Sequence, residues 1–300
     1  MENNRPQGDA GNGHIQLDLH GREAIFSKLS YQYPLKLLSP RIAEQGVAIA
    51  YVLTYGGGLV SGDRINLHVD VGSSTSLVML TQGSTKVFKH RPGVRLANSY
   101  TDSNPTSTTT STIQRMLATV YENAFLILLP DPVTCFASAS YSQFQTFRLH
   151  RGASAVLLDW FTSGRITRGE QWQFSRYYSL NEIWDAGTRM ARDSLLLDSE
   201  DSQRTLKERL GIYSCYAALF LCGPKTKHMI QSLDEEYQEI SVYQHASPPD
   251  LIWSLSHIDG EGRVVRIAGK ETELVKLWLK DHLKGLEDVV GLDVYSKTFI

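Results

Sequence analysis

The sequence predicts a mainly β protein, in which a body of many short strands is followed by an α+β segment with two helices. Apolar and polar residues alternate in short segments up to about residue 222, as expected for half-buried strands. Apolar residues at helical spacing occur only after Pro224. Hydrophobic residues make up 42% of the 300-residue chain, which is sufficient for a large core without disulfide bonds.

The β-rich body is expected over residues 15–222, after a polar, flexible N-terminus at residues 1–14. Its clearest strand is 64–71, in which Ile65 and Leu67 share one face while Asn66 and His68 share the other. Gly, Pro, Asn or Ser residues separate the strands, and the pattern fits a sandwich, a barrel or a β-solenoid. The predicted strands are 15–19, 23–29, 47–55, 64–71, 76–80, 116–121, 125–129, 143–149, 153–161 and 171–180.

Two further segments depart from this strand pattern. Residues 99–112 read SYTDSNPTSTTTST, a Ser/Thr-rich tract that is expected to be a mobile surface insertion. Residues 223–300 are expected to close the same domain as an α+β segment, with helices near 225–240 and 270–286. A hairpin is predicted between these helices, with strands at 251–256 and 263–267.

A glycine-rich segment, YGGGLVSGD, occupies residues 55–63 between two predicted strands. Its Gly-x4-Gly spacing matches the start of a phosphate-binding loop, but Asp63 and Arg64 stand where that motif needs Lys and Ser or Thr. A carboxylate at this position would repel phosphate, so phosphate binding is not the expected role of this segment. The glycines are interpreted as a tight connection between strands.

Composition and charge exclude several classes of function. The formal net charge of −2 gives no reason to expect nucleic acid or an anionic membrane as a partner. The three cysteines include no Cys-x-x-Cys pair and are expected to be reduced, buried thiols, and the nine histidines show no metal-binding spacing. Neither a secretory signal nor a membrane span is visible, so we expect a cytoplasmic protein.

Four motifs together carry a family resemblance. They are GGGLVSGD at 56–63, TQGSTKVFK at 81–89, LLPDPVTCFASASYSQ at 128–143 and DWFTSGRITRGEQWQF at 159–174. In this order and at these separations they resemble the urease accessory protein family called UreD, or UreH in some bacteria. Ser61, Cys135 and the Ser/Thr tract depart from the familiar pattern, but no charged motif residue is missing.

The resemblance implies a non-enzymatic maturation factor with a β-helix-like, superhelical body. Members of the family bind urease apoprotein together with UreF and the GTPase UreG, and help to deliver nickel into the urease active site. The resemblance implies that the protein binds no cofactor tightly and that it binds nickel(II) only transiently. A homodimer of such heterocomplexes is compatible with this reading.

Carboxylates in the motifs could hold nickel(II) weakly, because it prefers imidazole and thiolate ligands over oxygen donors. Asp63, Asp131, Asp159 and Glu170 stand in these motifs. Since a water-filled passage is proposed for the family, we expect Asp63, Asp131 and Glu170 to line it. Each also has a structural alternative: a turn cap for Asp63, a turn within Pro-Asp-Pro for Asp131, and an ion pair with a nearby arginine for Glu170.

Two other classes of function remain open from the sequence. A β-solenoid with acidic residues on one face could be a carbohydrate-active enzyme that uses paired carboxylates as acid and base. A docking scaffold that never contacts nickel would carry the same motifs. The three classes differ in whether the protein turns over a glycan alone, and in whether Asp63, Asp131 and Glu170 affect metal transfer without affecting assembly.

Overall fold

The computed structural model describes residues 10–89, 111–200, 203–240 and 249–299. Within them the chain is mainly β, as predicted. The strands are β1 Asn12–His20, β2 Glu23–Tyr31, β3 Leu35–Leu38, β4 Val47–Thr54, β5 Arg64–Val71, β6 Ser76–Leu80, β7 Thr85–Val87, β8 Thr112–Val120, β9 Phe125–Leu129, β10 Val133–Cys135, β11 Ser140–Leu149, β12 Ser154–Thr162, β13 Arg176–Asp185, β14 Thr188–Asp198, β15 Cys215–Cys222, β16 Leu251–His257 and β17 Arg263–Gly269. The α-helices are α1 Leu206–Leu210, α2 Lys227–Glu239, α3 Thr272–His282, α4 Glu287–Val290 and α5 Leu292–Ser296.

Two large sheets form the body. The first sheet has the strand order β14-β13-β11-β8-β5-β1-β2, and the second has the order β16-β17-β15-β12-β9-β6-β4-β3. Strands β5, β8, β11 and β13 run parallel in the first sheet, and β4, β6, β9 and β12 run parallel in the second. Along the chain, these strands belong alternately to the second and the first sheet. Each connection between consecutive strands of this set therefore passes from one sheet to the other. The superhelical form expected from the resemblance stays a prediction.

The molecule has three layers, which are the first sheet, the second sheet and the helices, and an apolar core lies between each pair of adjacent layers. Inward side chains of both sheets form the first core, for example Leu67 and Leu126. The other face of the second sheet packs against the helices, where Ile127 and Leu279 belong to the second core. Since the second sheet is covered on both faces, its central strands β6 and β9 are buried at every position. This burial on both faces explains why each of these two strands contains a continuous run of apolar residues.

Most sequence-predicted elements are confirmed, with some shifted boundaries. Strands β5, β6 and β9 have the predicted bounds, and both long helices and the hairpin between them are present. The first strand begins at Asn12, so residues 12–14 of the predicted flexible terminus belong to β1, and residues 1–9 lie outside the described residues. Most of the predicted mobile insertion, 99–110, also lies outside them, whereas Thr112 is buried at the start of β8.

One predicted strand is displaced for a local reason. The segment 171–180 was expected to be extended throughout, but β13 begins at Arg176. Trp172 has a φ of 58°, in the left-handed region that ends an extended strand. Its indole ring lies in the first core, so residues 163–175 form a loop that returns to the body instead of a strand.

Candidate functional site

Polar side chains line part of the space between the two sheets. Successive residues of a strand point to opposite faces, and the inward positions of β11 and β13 carry Gln143, Gln145, Ser179 and Asn181. All four are at most 7% exposed. Buried polar groups require partners, and here the partners are one another and a carboxylate from the opposite sheet. This group forms the centre of the candidate site.

Asp159 is that carboxylate, and it projects from β12 of the second sheet. It accepts hydrogen bonds from Gln143 Nε2 at 3.1 Å, from Ser179 Oγ at 2.5 Å and from Asn181 Nδ2 at 2.7 Å. Enclosure by the protein raises the pKa of Asp159, and the three donors partly offset that effect by stabilising the anion. The site therefore holds one carboxylate in a fixed orientation with a proton more strongly retained than usual.

Further hydrogen bonds extend the network along the first sheet. Gln145 Nε2 donates to Asn181 Oδ1 at 3.1 Å. Tyr141 Oη lies 3.0 Å from Gln143 Oε1 and 3.2 Å from Gln114 Oε1, and it can donate its single proton to either amide. The inward face of the first sheet therefore carries a series of neighbouring amide and hydroxyl oxygens, which we call the polar wall.

A cavity of about 390 Å³ runs along this polar wall, and we call it the passage. It is lined by Gln114, Tyr141, Gln143, Gln145 and Asp159 in its interior. Its other end is formed by the exposed residues Gly56, Gly57, Gln82 and Gly83 of two connecting loops. The passage thus leads from the surface beside the glycine-rich segment to the carboxylate of Asp159.

A second cavity of about 570 Å³ also includes Asp159 in its lining. Its wall is mainly apolar, with Leu195 and Trp253 among its members, and it carries the ion pair between Asp193 and Arg266. Asp193 belongs to β14 of the first sheet and Arg266 to β17 of the second, and their nearest atoms are 2.6 Å apart. Asp159 is therefore reached from two cavities, one with a mixed polar and apolar lining and one that is largely apolar.

Asp131, one of the three carboxylates predicted to line a nickel passage, lies on the wall of the cavity of about 390 Å³. Its Oδ2 accepts hydrogen bonds from Thr81 Oγ1 at 3.1 Å and from the Gly83 backbone amide at 2.8 Å. The Asp131 amide in turn donates to Thr81 Oγ1 at 2.7 Å. Asp131 thus joins the two loops at the outer end of the passage, and it combines the turn role with a place on the cavity wall.

Asp63 lies in a turn and outside both cavities. Its Oδ2 accepts a hydrogen bond from the Val60 amide at 2.8 Å, and its own amide donates to the Val60 carbonyl at 3.0 Å. The residue is 4% exposed, and this burial raises the pKa of the Asp63 carboxyl. The geometry is that of a side chain closing the turn that leads into β5.

Glu170 lies in a salt bridge and outside both cavities as well. It accepts hydrogen bonds from both Nε and Nη2 of Arg165, the first at 2.8 Å, and a longer one from the Ala137 amide at 3.3 Å. Hydrogen bonding to Arg165 is the main reason why the pKa of Glu170 is lowered. The structure therefore does not bring Asp63, Asp131 and Glu170 together in one site.

Comparisons with known proteins match nearly the whole chain. The family model described as UreD urease accessory protein matches residues 10–295. The chain is similar to urease accessory protein 4 of Cryptococcus neoformans var. grubii, with 38% identity covering 98% of this chain and 96% of that protein. This protein belongs to the UreD urease accessory protein family. It is 35% identical to urease accessory protein D of Oryza sativa subsp. indica over 95% of each chain, and 33% identical to UreD of Sorangium cellulosum over 98% of this chain and 86% of that protein.

In this member of the UreD family, the sequence prediction missed most of the polar wall. The sequence marks Asp159 as a motif carboxylate, but it does not single out Gln143, Gln145, Ser179 or Asn181. The available signal was their spacing: polar residues at every second position of a strand whose remaining alternate positions, such as Phe147 and Ile183, are apolar and buried. Polar residues on the buried face of a strand are the pattern that predicts an interior site.

The donors of this UreD-family site are oxygen and amide atoms. Across the described ranges, no group of three or more His, Cys, Asp and Glu side chains is arranged to hold a metal ion. Cys135, Cys215 and Cys222 are free and buried, as predicted, and burial raises the pKa of each thiol. Within the part of the chain that the structure describes, no helix is long and apolar enough to span a membrane.

Proposed function

We propose that this protein assists urease maturation without catalysing a reaction, by binding urease apoprotein together with UreF and UreG and by letting nickel(II) move through the passage. Membership of the UreD family supports the role in maturation. The observation that carries the nickel route is Asp159, a carboxylate held on the wall of both cavities. The protein binds no cofactor tightly in this proposal, and nickel is its cargo.

The chemistry of the wall suits a cation that must move on. Carboxylate, amide and hydroxyl oxygens hold nickel(II) less tightly than imidazole or thiolate, so a hydrated ion can exchange one such ligand for another. Asp131 stands at the outer end and Asp159 at the inner end, with amide oxygens between them. A bound cation favours the ionised form of Asp159, so it opposes the burial that raises the pKa of this carboxyl.

We assign different roles to the three carboxylates that the sequence singled out. Asp131 belongs to the route, because it lines the passage. Asp63 and Glu170 are assigned to the rigid turns beside it, because their oxygens are occupied by Val60 and Arg165. Replacement of Asp63 or Glu170 should therefore change the protein's stability more than it changes the rate of nickel transfer.

The test is the rate of urease activation by purified components at limiting nickel. Asp131→Asn and Asp159→Asn keep the side-chain volume and remove the charge, and we expect each to slow activation several-fold while a pull-down of urease apoprotein and UreF stays normal. Asp250→Asn, at an exposed carboxylate away from both cavities, is the matched control and should activate like the wild type.

Two outcomes would contradict the proposal in different ways. Normal activation by the Asp131 and Asp159 double variant would reject the route and leave a docking scaffold. Failure of the wild-type protein to capture urease apoprotein or UreF would reject the maturation role itself. Higher nickel concentration should partly restore activation by each single variant, because the route would be weakened without being blocked.

A further inference from the structure

A short parallel ladder branches from the end of β12, away from the main strand order of the second sheet. Strand β10 pairs with Phe161 and Thr162 of β12, and β7 pairs with β10. The glycine-rich segment adds a fourth member through a bridge between Leu59 and Val87. Four chain segments from distant parts of the sequence therefore lie side by side.

Aromatic and charged side chains fix the loop 163–170 against this ladder. Phe88 and Phe136 pack edge to face with ring centroids 5.1 Å apart. The Arg165 guanidinium lies 3.9 Å from the centre of the Phe136 ring, while its nitrogens bind Glu170. An arginine that stacks on a ring and binds a carboxylate at the same time has little freedom, so the loop is held in one position.

The exposed surface of the ladder and the loop carries basic side chains and two apolar side chains. Val60 is 46% exposed and Ile166 is 53% exposed. Lys86, Lys89 and Arg168 are also exposed. We call these five residues the basic ridge.

The cations of the basic ridge lack carboxylate partners among the described residues. None of the three forms an ion pair there, although nine other lysine and arginine side chains of the described residues do. Glu170 lies near enough to Arg168 for the cation to help lower its pKa, but its oxygens are already occupied by Arg165. The ridge thus presents three positive charges that form no ion pair among the described residues, on a protein whose formal net charge is −2.

The basic ridge borders the passage. Thr85 of β7 and Val133 of β10 line the passage, and Lys86 follows Thr85 directly. Gly56 and Gly57, at the outer end of the passage, belong to the connection that leads to Val60. A macromolecule bound to the ridge would therefore stand beside the opening.

We propose that the basic ridge docks an acidic protein surface that has an apolar depression at its centre. Val60 and Ile166 would enter the depression, and Asp or Glu side chains around it would pair with Lys86, Lys89 and Arg168. That this partner belongs to the urease assembly rests on the proposed function above. The docking site itself rests on the charge and exposure of the ridge.

Two other occupants fit the charge less well. A nickel cation would be repelled by three positive side chains, so the ridge does not serve to attract the cargo. A nucleic acid would need basic groups spread along several phosphates, whereas the ridge has three cations around two aliphatic side chains and lies on a chain of slightly negative net charge. Charge complementarity favours an acidic protein surface.

The test uses the full-length protein and a fluorescent peptide of alternating Glu and Leu residues, followed by anisotropy. We expect the variant Lys86→Glu/Lys89→Glu/Arg168→Glu to bind the peptide at least about tenfold more weakly than the wild type. Wild-type affinity should also fall as salt is raised from about 50 mM to about 300 mM. The control is Lys28→Glu/Lys207→Glu/Lys284→Glu, which reverses three exposed lysines elsewhere and should change the affinity less than about twofold.

A second variant, Ile166→Ser, tests the apolar contact without any change of charge and should weaken peptide binding while leaving its salt dependence intact. Equal binding by the ridge variant and the control variant would overturn the proposal. Binding of a duplex oligonucleotide in preference to the peptide would overturn it in favour of nucleic acid.

A pull-down with urease apoprotein and UreF then separates the docking site from the proposed function. Loss of one of these partners from the ridge variant, but not from the control variant, is the expected result. Retention of both partners by the ridge variant would overturn docking to the urease assembly. If the wild type captures neither partner, the proposed function fails, and the peptide titration still decides whether the ridge binds acidic surfaces.

Discussion

Gly58 lies directly against the backbone of Lys86. A Cβ atom at residue 58 would be 2.6 Å from the Lys86 carbonyl oxygen and 2.8 Å from Cε2 of Phe88. The φ angle of Gly58 is 167°, which is extended backbone, so close approach and not backbone strain requires glycine here. Gly58 thereby permits the contact that joins the glycine-rich segment to β7.

Gly58→Val should therefore lower the free energy of unfolding by about 1–3 kcal/mol, because the new side chain forces the ladder apart. The measurement is denaturant unfolding together with the melting temperature. Gly21→Asn is the control: Gly21 has a φ of 65°, which Asn tolerates, and a Cβ there meets no atom within 4 Å. An unchanged melting temperature for Gly58→Val would show that the ladder yields freely at this point.

Asp63 should be replaceable by Asn but not by Ala. Asn keeps an oxygen for the Val60 amide and removes a buried charge, so its unfolding free energy should stay within about 0.5 kcal/mol of the wild type. Ala leaves that amide without its partner and should cost about 1–2 kcal/mol. Equal stabilities of the Ala and Asn variants would contradict the capping role.

The pH dependence of Asp63 has a definite sign. Its folded-state pKa lies above the ordinary value of 3.8, so the folded protein binds the proton more tightly than the unfolded chain does. Lowering the pH through the folded pKa toward 3.8 should stabilise the wild type relative to Asp63→Asn. Denaturant unfolding of both proteins between neutral and acidic pH would reveal the opposite trend if the carboxylate were stabilised as an anion.

Glu170→Gln should reduce the free energy of unfolding by about 0.5–1 kcal/mol at neutral pH, because a bidentate, partly buried arginine pair is stronger than an exposed one. The folded-state pKa of Glu170 is lowered, so this stabilisation is present above its ordinary value of 4.5 and is lost as the pH falls through the lower folded value. Glu261→Gln, which breaks the exposed pair with Lys227, should leave the melting midpoint unchanged. A constant difference between wild type and Glu170→Gln down to strongly acidic pH would contradict this account.

Asp159→Leu should destabilise the fold much more than Asp159→Asn. Leucine leaves Gln143, Ser179 and Asn181 without their shared acceptor inside the protein, at a cost of about 2–5 kcal/mol. Asn keeps one acceptor oxygen, and the neighbouring amides can reorient to accept from its NH₂ group. Denaturant unfolding of the two variants is the measurement, and equal stability would mean that the polar wall rearranges around an apolar residue at little cost.

The sequence was most informative where one strand face is apolar and the other polar, or where a strand is wholly apolar. Strand β5 shows the first pattern and β9 the second, and both have the predicted bounds. Strands β7 and β10 have three residues each, too few for any periodicity, and they were missed. Pairing could not be predicted either, because an apolar face indicates burial without identifying the neighbouring strand.

The candidate site was only partly predictable for a similar reason. Asp131 and Asp159 stand out in the sequence as acidic residues within distinctive motifs. Gln143 and Asn181 are ordinary polar residues until the parallel register places β13 beside β11 and turns both toward β12. Asp63 and Glu170 are equally prominent in the sequence, yet their partners Val60 and Arg165 engage them locally.

The position of Asp159 between two cavities has a use in chemical biology. A cavity of about 570 Å³ lies within the size range that drug-sized molecules occupy, and its largely apolar wall would supply most of their binding energy. A compound bound there would contact the carboxylate of Asp159, which also lines the passage. It would leave the basic ridge and the glycine-rich segment uncovered. Such a molecule would offer a means of testing the proposed nickel route, because it could be added after the proposed complex has assembled.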